Sequence, residues 1–168
     1  MTMNIKDTIE PVLRAAIVYA SGLSEDSVIF HYPNAPRPEL PYADIQYTRT
    51  SKPINDWYDF DSATLLTEWY GTRELDYMVN VYGTGARHIA SAMEAKLLLQ
   101  STREQMRQAA PISILDIDVV DLSTVLNNSS WEERCMVKIK LNAYIEDGST
   151  TEDLGYFDQV DVTWSNEP

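Results

Sequence analysis

Three aspartates in LDIDVVD, at Asp116, Asp118 and Asp121, have the spacing to present two carboxylates from one face of a strand and a third at its end, as a divalent-cation site requires. The same spacing also describes the solvated face of an ordinary strand. Gly83 to Ala86 reads GTGA between a predicted strand and a predicted helix, where a phosphate-binding loop would lie. It has no third glycine at dinucleotide spacing and no Gly-Lys-Ser/Thr, so a tight strand-to-helix turn accounts for it. His31 and His88 have no second histidine at ligand spacing. Cys135, the only cysteine, sits in the alternating run CMVKIKLNAYI with nothing beside it arranged to lower its pKa, and reads as a buried structural thiol. No serine or cysteine occupies a nucleophile motif, and no carboxylate pair stands as acid and base. The chain is therefore read as non-enzymatic, without metal or cofactor.

The 168 residues suffice for one domain with one core. A composition of 44% hydrophobic and 23% charged residues is that of a soluble globular protein, and no apolar run approaches the ~20 residues that span a bilayer. MTMNIKDTIEPVLRA places an acid and a proline where a secretory signal needs its apolar region, so the chain is read as cytoplasmic. That makes the glycosylation-like NNS at 127–129 irrelevant. A formal charge of −13 argues against a protein that grips phosphates, since nucleic-acid affinity rests on Lys and Arg neutralising the backbone. The same charge serves solubility.

Ile9, Val12, Leu13, Ala16, Ile17 and Ala20 recur at three and four, one face of a helix that ends near Gly22, with Pro11 in its first turn and Asp7 or Thr8 as cap. A short strand follows over Ser27 to His31. HYPNAPRPELPYADIQY then places four prolines before an alternating strand, Tyr42 to Thr50, with Ala43, Ile45 and Tyr47 on one side and Asp44, Gln46 and Thr48 on the other. Each proline fixes φ and biases its predecessor toward extended geometry, so this is a rigid arm that sets where the strand enters. Arg37 stands on it at low entropic cost, facing a carboxylate partner that the sequence does not identify.

Thr72 to Tyr82 alternates, with Leu75, Tyr77, Val79 and Val81 on one face, and a long helix with Ile89, Ala90, Met93, Leu97 and Leu98 as its stripe runs from near Ala86 to near Ala110. Strands are predicted over Ile112 to Val120, Glu133 to Ile145 and roughly Leu154 to Trp164, the last two forming a hairpin across EDGSTTEDLG. The order implies an α+β fold in a single domain, residues 1–168: a mainly antiparallel sheet with two helices packed on one face.

Between Ser51 and Gly71 the chain turns aromatic and acidic, carrying Trp57, Tyr58, Phe60, Trp69 and Tyr70 without clear periodicity. This excursion either folds over the sheet as a lid or makes an intersubunit contact. Trp131 either anchors a strand bordering a neighbour or sits in the core at a strand entrance. From Glu146 to Pro168 there are seven Asp or Glu and no Lys or Arg. These are features of a part that fits against other parts, and Arg37, Trp57, Tyr58, Phe60, Trp69, Tyr70 and Trp131 are the candidate interface residues.

The proline arm Asn34 to Tyr42, VYGTGA at Val81 to Ala86, DLS at Asp121 to Ser123 and WEER at Trp131 to Arg134, in that order, resemble the phage neck and tail terminator proteins over nearly the whole chain. The resemblance implies a structural virion protein, assembled in the host cytoplasm, that forms a ring, usually a hexamer, at the top of the tail tube. It would stop tube growth and face the neck or head connector, with the tube and in some tails the sheath as partners. DNA would pass through the lumen without specific binding, and acidic side chains there would keep it from sticking. Two other readings are a head-completion ring beneath the portal and an acidic, nucleic-acid-mimicking adaptor for a basic host protein.

Overall fold

The computed structural model describes residues 8–31, 36–52, 56–61, 66–127 and 130–151. Helix α1 (Glu10–Ser21) leads through a 3-10 turn (Glu25–Ser27) into β1 (Val28–Phe30), and then come β2 (Tyr42–Ser51), β3 (Trp57–Asp61) and β4 (Leu66–Tyr82). Helices α2 (Ala86–Leu97) and α3 (Gln100–Ala109) precede β5 (Ile112–Asn127) and β6 (Ser130–Thr151). The six-stranded sheet has the order β1-β2-β4-β6-β5, with β3 also on β4, and every described pairing except the parallel β1–β2 is antiparallel. This is the expected α+β fold.

The alternations translate directly into burial. Leu75, Tyr77, Val79 and Val81 of β4 and Cys135, Val137, Ile139, Leu141 and Ala143 of β6 are all buried on the helix-covered face. Against them pack Leu13, Ile17 and Ala20 of α1 and Ala90, Met93 and Leu97 of α2. Helix α1 holds Pro11 in its first turn as expected, but Ile9 rather than Thr8 is the N-cap and no side chain caps it. Gly22 closes it in the left-handed region at φ 73°, where a Cβ would be strained.

Two sequence expectations are corrected. The single long helix from 86 to 110 is two helices, because Leu99 is extended at ψ 138°. Continued unbroken beyond Leu97, the buried stripe would fall on Ser101, Glu104 and Gln108, all polar. Restarting at Gln100 re-phases the chain so that Thr102 and Met106 face inward, while Leu98 and Leu99 at the break are exposed. The aromatic excursion is not an irregular lid: Trp57–Asp61 continues the edge that β2 leaves at Ser51, and β4 begins at Leu66 rather than Thr72. Asp7, the strand expected over 154–164 and most of the acidic C-terminal stretch lie outside the described residues, whereas residues 146–151, expected to open the hairpin turn, continue β6 alongside β4.

Candidate protein-interaction site

At one end of the sheet the proline arm meets the face opposite the helices. Alternation puts Asp44 on that wet face, yet only 6% of it is exposed, and Asn80 beside it is 2% exposed. Asn80 Nδ2 donates to Asp44 Oδ1 at 2.8 Å, His31 Nδ1 lies 3.0 Å from Asp44 Oδ2, and Arg134 Nη2 donates to Asn80 Oδ1 at 2.9 Å. The Arg134 guanidinium also lies 5.1 Å from the ring centroid of Tyr82, which stacks on Tyr42 at 4.7 Å. Burial pushes the Tyr82 phenol up to about 12 and raises that of Tyr42, so both stay protonated across the physiological range. The end of the arm packs on the turn that follows β4: a Cβ at Gly83, whose φ is 101°, would lie 3.1 Å from the Cα of Pro41. Arg37 remains mostly exposed on the arm and finds its carboxylate in Glu132, at 3.9 Å.

Trp131, next to Glu132, is 70% exposed, which overturns a core role at the strand entrance. The GTGA turn lies at this end too. Gly85 N–H donates to the Glu133 carboxylate at 2.7 Å and Gly83 N–H to the Glu133 carbonyl at 3.0 Å, so the loop donors serve the fold. Cys135 is buried below, its thiol raised by desolvation, as a structural residue would be. Asp116, Asp118 and Asp121 are exposed along β5, with Asp118 4.0 Å from Lys138 and Asp121 3.6 Å from Arg87. Among the described residues no group of His, Cys, Asp and Glu is gathered as metal ligands, and no helix is long and apolar enough to cross a membrane.

At the opposite end stands the aromatic hairpin. Trp57 is 69% and Tyr58 67% exposed, and Phe60 is exposed beyond them. Tyr70 is half-buried and stacks on Tyr144 at 6.4 Å. Trp69 pairs with Tyr58 through the backbone, and its side chain is outside those described. The hairpin base is tied by a clamp that sequence reasoning missed. Asp56 receives both Arg73 Nη1 at 2.6 Å and Nη2 at 3.0 Å, and Lys52 Nζ at 2.6 Å. A Cβ at Gly71 would overlap Asp56 Oδ1 and stand 2.7 Å from Arg73 Nη1, so this position is glycine for clearance.

Hydrogen bonds from Arg73 and then Lys52 hold the Asp56 carboxyl down at about 2, against its ordinary 3.8. A depressed carboxylate stabilises the fold fully above its unfolded pKa, and that contribution is lost as pH falls through the folded one. The clamp is therefore expected to persist to about pH 4 and to open toward pH 2. An NMR titration of the Gly71 amide should show a midpoint near the lower value; one at the ordinary aspartate position would mean that the clamp does not form.

A family model described as phage neck terminator protein matches residues 4–167. No curated protein matches the chain. Among solved structures, it aligns with the sheath/tube terminator of an extracellular contractile injection system, PVC, in the extended state, at TM-score 0.47 and 14% identity. That alignment covers 88% of this chain and 59% of the other, so the chain spans less than two thirds of that terminator. A chain of the virion of a native gene transfer agent particle aligns at TM-score 0.36 and 11% identity, over 85% of this chain and 95% of the other.

Proposed function

We propose a ring-forming role for this chain, which belongs to the phage neck terminator family. In this reading it is a non-enzymatic structural protein of the virion neck. Six copies close into a ring on the tail tube, end its polymerisation and present their other side to the head connector.

The observation that carries the reading is the separation of the exposed aromatics. Tyr70 and Tyr82, which mark the two ends, are twelve residues apart on one strand, about 40 Å at ~3.3 Å per residue. Trp57, Tyr58 and Phe60 thus stand far from Trp131, and a subunit with two different sticky ends joins its copies head to tail, which closes as a ring when the rotation allows. Aromatic anchors of this kind dominate interface energetics. The formal charge of −13 suits a passage for DNA, whose backbone is repelled by a lining of like sign.

Size-exclusion chromatography with light scattering, and two-dimensional class averages of the particle, alone and with purified tail tubes, test this. A six-fold ring with a central hole is expected. A chain that stays monomeric under both conditions overturns the proposal, and a ring that binds connector but not tube moves it to the head side of the joint.

A further inference from the structure

Between α1 and α3, on the outside of the helical layer, runs an apolar groove of about 350 Å³. Pro11, Val12, Ala15 and Tyr19 form one wall and Met106 and Ala109 the other. Thr102 lines it as well, and its Oγ1 is buried without a hydrogen-bond partner among the described residues. The outer ridge of α1, Pro11, Ala15 and Tyr19 at intervals of four, has two small members, so a partner can approach the helix backbone closely.

We propose that this groove is the socket for the aromatic hairpin of a second copy of the chain, with Trp57 as the inserted side chain. The inference rests on the ring reading and names the joint between neighbours. Trp57 is largely exposed in its own chain, so it does not fill its own groove, whereas a neighbour related by rotation can supply it. Inserted there it would bury roughly 200 Å², about a quarter of the ~800 Å² that each partner gives to a standard interface.

The charges are also complementary. The hairpin strands carry Asp59, Asp61 and Glu68 and no basic residue. In a strongly acidic chain the helices are the exception: Arg14, Arg87, Lys96, Arg103 and Arg107 outnumber Glu10, Glu94 and Glu104. Lys96 Nζ stands 5.7 Å from the ring centroid of Tyr19, at the edge of the groove. A tryptophan on an acidic strand facing an apolar socket with Lys96 at its edge gives both burial and orientation.

Complementation separates this joint from other ways of making a ring. Ala15→Arg blocks the socket at an exposed helix position and leaves the knob intact, and Trp57→Ala removes the knob and leaves the socket intact. Circular dichroism should show both variants folded. Under the conditions in which the unmodified chain forms rings, each variant alone should lose at least tenfold of its ring mass. An equimolar mixture should stop at dimers by light scattering, because only one joint can form between an intact knob and an intact socket. Rings from Ala15→Arg overturn the inference while leaving the ring reading intact, since the hairpin would then dock elsewhere. Failure of the unmodified chain to form rings, alone or on tubes, overturns both.

Discussion

Asp44→Ala is expected to cost about 3 kcal/mol of folding stability and to loosen the proline arm from the sheet. The carboxylate is almost wholly buried, accepts from Asn80 Nδ2 at 2.8 Å and lies 3.0 Å from His31 Nδ1. Removing it leaves a buried amide donor unsatisfied and takes the counter-charge from a cluster that also holds Arg134. The loss of a buried acceptor dominates the energetics, because His31 is exposed and contributes little. Asp44→Asn keeps an acceptor oxygen and should cost less than half as much. Urea denaturation measures the stability, and hydrogen exchange at the His31 amide, bonded to the Ile45 carbonyl at 2.8 Å, reports the arm. Equal stabilities for Asp44→Ala and the unmodified chain would mean that the cluster is incidental.

Leu141→Ala should cost a further 2–5 kcal/mol in its own right, roughly the range for truncating a fully buried leucine. Leu141 is fully buried on β6 and pairs with Leu75 of β4 on one side and Ile114 of β5 on the other. The central strand has no freedom to collapse into the void, since both neighbours are held by their ladders. Leu115→Ala, at an exposed β5 position, is the control and should stay within about 0.5 kcal/mol. Similar midpoints for the two variants in thermal or urea denaturation would contradict the placement of the core.

Much of this molecule can be read from local periodicity, and the reason is geometric. Side chains alternate along a strand and recur at three and four along a helix, so an apolar pattern names the buried face before the partner is known. The faces of β4 and β6 and the stripe of α1 follow that rule. Resemblance in motif order likewise located the family, which the match over residues 4–167 shows.

Periodicity says nothing of which residues meet across the sheet. The Asp44–Asn80–Arg134 cluster spans up to 54 residues between bonded partners, and Arg37 meets Glu132 across a still longer stretch of chain. Tyr47 lies on the same side as Ala43 and Ile45, with its ring 5.5 Å from that of the buried Tyr77, yet it stays exposed, because alternation gives the side and not the depth of cover. The strand Trp57–Asp61 escaped detection because its described side chains, 57–60, are exposed on both faces and lack the polar–apolar contrast that burial imposes on a strand.

The proline arm joins both kinds of knowledge. That it is stiff and enters a strand follows from the ring of each proline and needs no partner. That it packs on the Gly83 turn and sets Arg37 against Glu132 depends on the ladder bringing β2, β4 and β6 side by side, a long-range pairing that no local property of the arm encodes.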